Sequence, residues 1–171
     1  GFQVCRRTGE LADDHASMKQ VLLDVTRRQD MAPDDDVVLL YLTYPQRSWN
    51  DITQIMEFYQ SRNAVAVSCC LDIADHPYLC FTKEKDGRGA PVIDHSFYRR
   101  QDYPECFRLS LYVAIFKVAK IPELNDLLVC PETIFYKLPK QVIDIDNEFD
   151  MKNFHKGNGS LRKTVSGIVQ V

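Results

Sequence analysis

Asp144 and Asp146, in the stretch Ile143-Asp144-Ile145-Asp146-Asn147-Glu148, offer two carboxylates separated by a single residue. On extended backbone, side chains alternate with period two, so both acids fall on one face and Ile143 and Ile145 on the other. Paired hard oxygen donors suit Mg2+ carrying substrate phosphates, with water and phosphate completing the octahedron. The same spacing also describes a solvated edge strand with its acidic face outward. A second group is Arg99-Arg100-Gln101-Asp102-Tyr103-Pro104, with Arg108 beyond it. Guanidinium forks bind carboxylate or phosphate bidentately, which points to an anionic ligand, while pairing with Asp102 and Glu105 would account for the arginines as surface ion pairs. A third is Thr43-Tyr44-Pro45-Gln46-Arg47 at the C-terminal end of an apolar run. Open α/β sheets bind ligands outside the carboxyl ends of their strands, so Tyr41, Thr43 and Arg47 are well located to line a site.

The elements that must position these groups follow from periodicity. Met18, Val21, Leu22 and Val25 recur at helical spacing, with Ser17 or Asp14 as cap and an end near Arg27-Arg28. The run Val37 to Thr43 is apolar on both faces, as a central strand covered on both sides would be, and Pro45 stops it. Ser48 or Asn50 caps a second helix carrying Ile52, Ile55, Met56 and Tyr59, and Ala64 to Leu71 reads as a strand. Strand, helix, strand makes a βαβ unit whose two strands run parallel. Leu79 to Lys83 and Pro91 to Asp94 flank the glycine turn Lys85-Asp86-Gly87-Arg88-Gly89 as a hairpin. Leu111 to Phe116 predicts a buried strand, Pro122 to Leu128 a short helix, and Thr133 to Lys137 a further strand, giving a mixed sheet. Residues 1–154 form one domain; from His155 the chain turns to glycine, serine and basic residues, with no periodic apolar face before Ile168-Val169, and 155–171 is read as a tail.

Composition narrows the classes. A chain of 171 residues with 45% hydrophobic and 26% charged residues fits one globular domain. The formal net charge is -3 and the arginine doublets are scattered among acids, which excludes the sustained basic stripe of a nucleic-acid binder. No apolar run approaches the roughly 20 residues of a membrane span, and no signal-peptide pattern opens the chain, so a soluble cytoplasmic protein is expected. The six cysteines contain no C-x-x-C pair and are expected as reduced, mostly buried thiols. The histidines lack metal-protease spacing, no G-x-S-x-G or Walker pattern occurs, and His76-Pro77-Tyr78 reads as a turn rather than a general base.

Five segments in order resemble the acylneuraminate cytidylyltransferase family over about residues 4 to 154. Arg7-Thr8-Gly9-Glu10-Leu11-Ala12-Asp13-Asp14-His15-Ala16-Ser17 looks like "RPxELAxDxAS", and Leu39 to Arg47 is similar to "LLQPTSPLR". His76-Pro77 matches "HP", Arg99 to Pro104 looks like "RRQDLP", and Ile143 to Asp150 is close to "IDIDTELD". The resemblance implies a Rossmann-like three-layer α/β nucleotidyltransferase fold with a mixed, mostly parallel sheet. It also implies a homodimer that joins CTP to a sialic-acid-type (nonulosonate) sugar acid. In that reading Asp144 and Asp146 hold Mg2+, Arg100 and Arg108 meet the sugar carboxylate or its surroundings, Gln101 and Tyr41 belong to the sugar side, and Arg7 and Ala16 lie near the cytidine. The family's opening strand, its glycine-containing basic loop ("ARxGSKxxxxKN") and its second strand have no counterpart here, so the fold is expected to be N-terminally incomplete. Tyr41 stands for a glutamine, Tyr44 for a serine, and Ser110-Leu111 for Asn-Gly. A non-catalytic descendant acting as a dimer- or partner-binding module is the alternative, and a magnesium-dependent phosphohydrolase a third.

Overall fold

The computed structural model describes residues 4–13 and 15–157. Asp14 as an alternative cap, and the tail reading from residue 158 onward with Ile168-Val169, lie outside the described residues.

Helix α1, Met18–Arg28, begins in a capping box: the Ser17 side chain accepts from Gln20 N, and the Gln20 side chain accepts from Ser17 N. Helix α2, Trp49–Ser61, repeats the device with Ser48 and Asp51. Both therefore start where a polar side chain takes over the amides that have no partner in a first turn. The strands are β1 Asp36–Leu39, β2 Ala66–Asp72, β3 Phe81–Lys83, β4 Gly89–Pro91, β5 Phe107–Lys117 and β6 Ile134–Lys137; helix α3 covers Glu148–Gly157. Helix α3 thus carries the described structure past residue 154, where the sequence reading began a tail.

Among the described residues the main sheet has four strands in the order β1-β5-β2-β6, and β3-β4 form a separate antiparallel hairpin. Strands β1 and β2 both run antiparallel to β5, and β6 runs parallel to β2. The strands flanking α2 therefore do point the same way, but β5 lies between them. Three of the four strands share a direction, yet two of the three hydrogen-bonded pairs are antiparallel, so the sheet is mixed rather than mostly parallel in its pairing. The expected central strand over Val37 to Thr43 is corrected twice: β1 stops at Leu39 and occupies an edge. The apolar residues beyond Leu39 serve a loop instead, with Tyr44 buried in the core and Leu42 at 96% exposure.

Two apolar clusters lie on opposite faces of the sheet, as the alternation of β2 and β5 requires. On the α2 face, Ile55 and Tyr59 pack with Val67, Cys69, Leu71, Val113 and Ile115. On the α1 face, Leu22 packs with Ala66, Ala114, Phe116, Ile121 and Leu124. The β2–β5 register slips between Val67↔Ile115 and Cys69↔Ser110, two residues on β2 against five on β5. This bulge turns both Tyr112 and Val113 toward the α2 face. Burial pushes the Cys69 thiol up to about 12, so it stays protonated and donates to Val113 O across the bulge at 3.3 Å.

The expected helix over Pro122 to Leu128 is replaced by a 3-10 helix at Val118–Glu123. Asn125 explains the shift: its Oδ1 accepts from Leu127 N and Val129 N, organising the following residues as a loop in competition with a helix. The thiols are all free, but only Cys69 and Cys70 are fully buried; Cys5, Cys106 and Cys130 are half-buried and Cys80 is exposed, against the expectation of mostly buried cysteines. Among the described residues no helix is long and apolar enough to cross a membrane.

Candidate functional site

Because β1, β2 and β6 share a direction, their C-terminal ends lie at one rim of the sheet, together with the start of β5. Three segments cross this rim: the loop 40–48 after β1, the excursion 73–106 that carries the hairpin, and the return segment 138–147 after β6. All three sequence-derived groups fall on them, apart from Arg108 at the start of β5 and Glu148 at the start of α3.

The return segment runs along the β1 loop. Ile145 N donates to Thr43 O at 2.9 Å, and Ile143 N donates to the Gln46 side-chain oxygen Oε1 at 3.2 Å. These two bonds bracket Asp144. Its Oδ1 is buried and has no hydrogen-bond partner among the described residues, whereas Asp146 is exposed and its backbone N donates to Asp150 Oδ2. A buried acceptor without a donor is costly, by about 1–3 kcal/mol, and such an atom asks what satisfies it. Tyr41 and Tyr44 stand beside it. Burial raises the Tyr41 phenol, with the Asp144 carboxylate adding to the rise and the Arg7 guanidinium opposing it, which sets Arg7, Tyr41 and Asp144 in one electrostatic neighbourhood. Burial pushes the Tyr44 phenol up to about 12, with nearby Ser110 lowering it and Asp144 raising it. The approach stops short of closing hydrogen bonds, since Ser110 Oγ, like Asp144 Oδ1, is without a partner.

Arg47 turns partly back on its own loop, while its Nε is buried with no partner among the described residues. Its Nη2 donates to Tyr41 O at 2.6 Å, and its guanidinium lies 5.7 Å from the Tyr44 ring centroid and 5.4 Å from that of Tyr112. It also lines a cavity of about 240 Å³ with Tyr41, Tyr44, Trp49 and Ile52. The loop is fixed from below by α2: Tyr112 OH donates to Asp51 Oδ2 at 2.6 Å and lies 3.3 Å from Gln46 O, while Ser48 N and Oγ donate to the same carboxylate oxygen.

The arginines occupy the far side of the rim. Arg99 is held by Asp102 in a bidentate pair (3.0 and 3.1 Å), as the ion-pair alternative expected for one member of the group. Arg100 and Arg108 are exposed and have no ion pair among the described residues. Arg108 lines one cavity with Asp72, Asp75 and Gln141; Arg100 lines the neighbouring one with His76, Tyr103 and Glu105; the two share Ile73 and Ala74. Gln101 is exposed on the 3-10 turn Arg100–Asp102. No one of these three cavities is lined by both Asp144 and an arginine of this group. The link between them is the return segment itself: Gln141 bonds Asp72 O at 3.2 Å in the Arg108 cavity, and Asp144 follows three residues later, at most about 11 Å along an extended chain. Arg7 is exposed, on a stretch tied down by Arg28 Nη1 donating to Arg6 O at 2.9 Å, and Ala16 is half-buried one residue before the α1 cap.

His76 serves as a strap, with Nδ1 accepting from Tyr78 N and Nε2 3.0 Å from Pro104 O, joining the two ends of the excursion. Tyr112 and Asp51 were not singled out for the site by sequence, and Gln46 was named within the third group but given no role. Their signal is a hydrogen-bond network whose partners lie as far as 97 residues apart in sequence.

Among the described residues no cluster of three or more His, Cys, Asp or Glu is placed to hold a metal ion. A Mg2+ ion needs no such cage where substrate phosphates and water supply most ligands, and the unpartnered Asp144 oxygen with Asp146 two residues on is a hard donor set of the fitting kind.

No family model matches the chain. It is similar to the N-acylneuraminate cytidylyltransferase of Streptococcus agalactiae serotype V, with 33% identity over 104 residues, 60% of this chain and 24% of that protein. The serotype III protein of the same name matches to the same extent. Over 151 residues, 86% of this chain, it is 24% identical to the post-translational flagellin modification protein B of Campylobacter coli, of which it covers 64%. The chain thus spans under two thirds of these relatives' lengths, and its likeness to proteins named as cytidylyltransferases covers three-fifths of its own.

Proposed function

We propose that this chain carries the sugar-acid and metal side of a nucleotidyltransferase of the acylneuraminate cytidylyltransferase family, with a Rossmann-like three-layer fold. In the reaction, the anomeric hydroxyl of a nonulosonate sugar acid attacks the α-phosphorus of CTP. The bond from sugar oxygen to phosphorus forms as the bond to pyrophosphate breaks, and the hydroxyl proton leaves to solvent. The observation that carries this reading is the buried, unpartnered carboxylate oxygen of Asp144 at the rim where three parallel strands end.

Asp144 and Asp146 would hold Mg2+, which when bound supplies charge neutralisation at the α-phosphate and the departing pyrophosphate. Arg100 and Arg108, with no ion pair among the described residues, bind the sugar's carboxylate or its surroundings, with Gln101 on the same turn. Tyr41 lines the sugar side beside Asp144, and Arg47 stiffens the loop that presents it. Arg7 and Ala16 lie toward the cytidine. Most of the acceleration this arrangement supplies is positional, holding two anionic substrates in line within a site whose groups are already oriented. The family's glycine- and lysine-bearing phosphate loop has no counterpart among these residues. Homodimerisation belongs to the same proposal, and the exposed Phe81, Val92, Phe97 and Tyr98 around the hairpin are apolar surface that a second copy would cover.

Turnover of isotope-labelled CTP with Mg2+ and a panel of 2-keto sugar acids tests the reading. It should be run on this chain and on the chain joined to the phosphate loop of a relative. A CMP-sugar from either supports it; folded protein that yields none in both forms removes the catalytic claim.

A further inference from the structure

We infer that Gln46 is a positioning residue for the Asp144 cation site, acting by holding the return segment against the β1 loop through its side chain. The inference rests on the metal reading above. The segment 138–147 is not part of the sheet, so its register at the rim depends on the contacts it makes there. Two hydrogen bonds flank Asp144: the backbone bond from Ile145 N to Thr43 O, and the bond from Ile143 N to Gln46 Oε1. The second is the one that a side chain supplies, and Gln46 is itself anchored. Its backbone oxygen sits 3.3 Å from Tyr112 OH, which donates its proton at 2.6 Å to Asp51, the third residue of α2. Packing contacts thus lead from the first turn of α2 through Tyr112 to Gln46, and a hydrogen bond leads from the Gln46 side chain to the backbone next to Asp144. The consequence is placement: with Oδ1 buried and without a donor, any shift of the segment changes how that oxygen meets a cation. Groups that orient a metal ligand typically set affinity by about 10–100-fold when removed.

The test uses the full chain and Mn2+ alone as probe, titrated by water-proton relaxation, with amide hydrogen exchange and thermal denaturation beside it. Gln46→Met keeps length and shape but loses the acceptor; Gln46→Glu keeps an acceptor oxygen. Gln46→Met is expected to bind Mn2+ about 10–100-fold more weakly and to exchange the Ile143 and Ile145 amides faster, while Gln46→Glu restores both. Equal Mn2+ affinity in wild type and Gln46→Met overturns the inference and leaves the metal reading standing. So does a loss in Gln46→Met that Gln46→Glu shares. If wild type binds no Mn2+, alone or with CTP present, and Asp144→Asn is indistinguishable from it, the metal reading fails and the cation clause with it. Unchanged exchange of the two amides in Gln46→Met then disposes of the positioning role as well.

Discussion

Replacing Tyr112 by Phe deletes one oxygen from the centre of the molecule and leaves its packing in place. The ring is 1% exposed, meets Tyr44 edge-on at 5.5 Å between centroids, and lies under the Arg47 guanidinium, none of which needs the hydroxyl. What disappears is the 2.6 Å bond to Asp51. Hydrogen bonds to a charged acceptor contribute about 1.5–3 kcal/mol net. Asp51 keeps the donors of Ser48 and is only half-buried, so water can replace part of the loss and the low end applies. The expected cost is about 1.5 kcal/mol, a fall of about 3–6 °C in Tm for a chain of this size.

The pH dependence supplies a sharper check. Burial raises the Asp51 carboxyl, but the hydrogen bonds from Tyr112 and Ser48 outweigh it and hold the group below the usual carboxylate value. A folded-state pKa below the unfolded one contributes stability that is fully present above the unfolded value, near about 4 for Asp, and lost as pH falls through the folded one. The Tyr112 phenol is itself raised, by burial and then by Asp51, and stays protonated throughout. Urea denaturation of wild type and Tyr112→Phe at pH 7, 5 and 3 should therefore show a stability gap that is constant from 7 to 5 and shrinks by pH 3, at unchanged m. A gap below about 0.5 kcal/mol at pH 7, where surface-grade effects lie, or one of equal size at pH 3, would refute the reasoning.

Asp144→Asn takes one of the two carboxylates out of the proposed cation site, so Mn2+ binding should be lost while circular dichroism shows the chain still folded; unchanged Mn2+ affinity contradicts the assignment. Ile55→Ala empties a fully buried position between α2 and the sheet and should cost about 2–5 kcal/mol by chemical denaturation; a cost under about 1 kcal/mol, as surface changes give, would show that α2 does not cover that face. Gly89→Ala places a Cβ against the Thr82 carbonyl oxygen, where nothing but backbone can give way, so the β3–β4 hairpin should open. Limited trypsin digestion at Lys83, Lys85 and Arg88 then accelerates while the denaturation midpoint moves little; equal digestion of both proteins counts against it.

How much of this was legible in the residues divides by range. The caps were written locally: Ser17 with Gln20, and Ser48 with Asp51, each lie three residues apart, and the apolar stripes that follow them became α1 and α2. The strands β2 and β5 could be read because runs such as Leu111 to Phe116 are buried on both faces, and β6, alternately half-buried and exposed, through its β-branched and aromatic residues. The order of strands could not, since β5 enters between β1 and β2 through pairings about 35 to 80 residues apart in sequence, and such contacts leave no local period. The same reason explains Val37 to Thr43, where apolar letters that suit a central strand are divided between a four-residue edge strand and a loop whose Tyr44 is buried elsewhere. The candidate site repeats the pattern. Asp144 and Asp146 announce themselves by alternation, and the arginines by clustering, because each is a statement about neighbours in sequence. That Asp144, half-buried, holds one carboxylate oxygen out of solvent while Asp146 is exposed, that Arg47 turns back on Tyr41, and that Gln46 reaches Ile143 are statements about a rim assembled from three separate segments. The chemistry of the site is therefore written in residue types, while its geometry is set by the sheet order that brings those segments together.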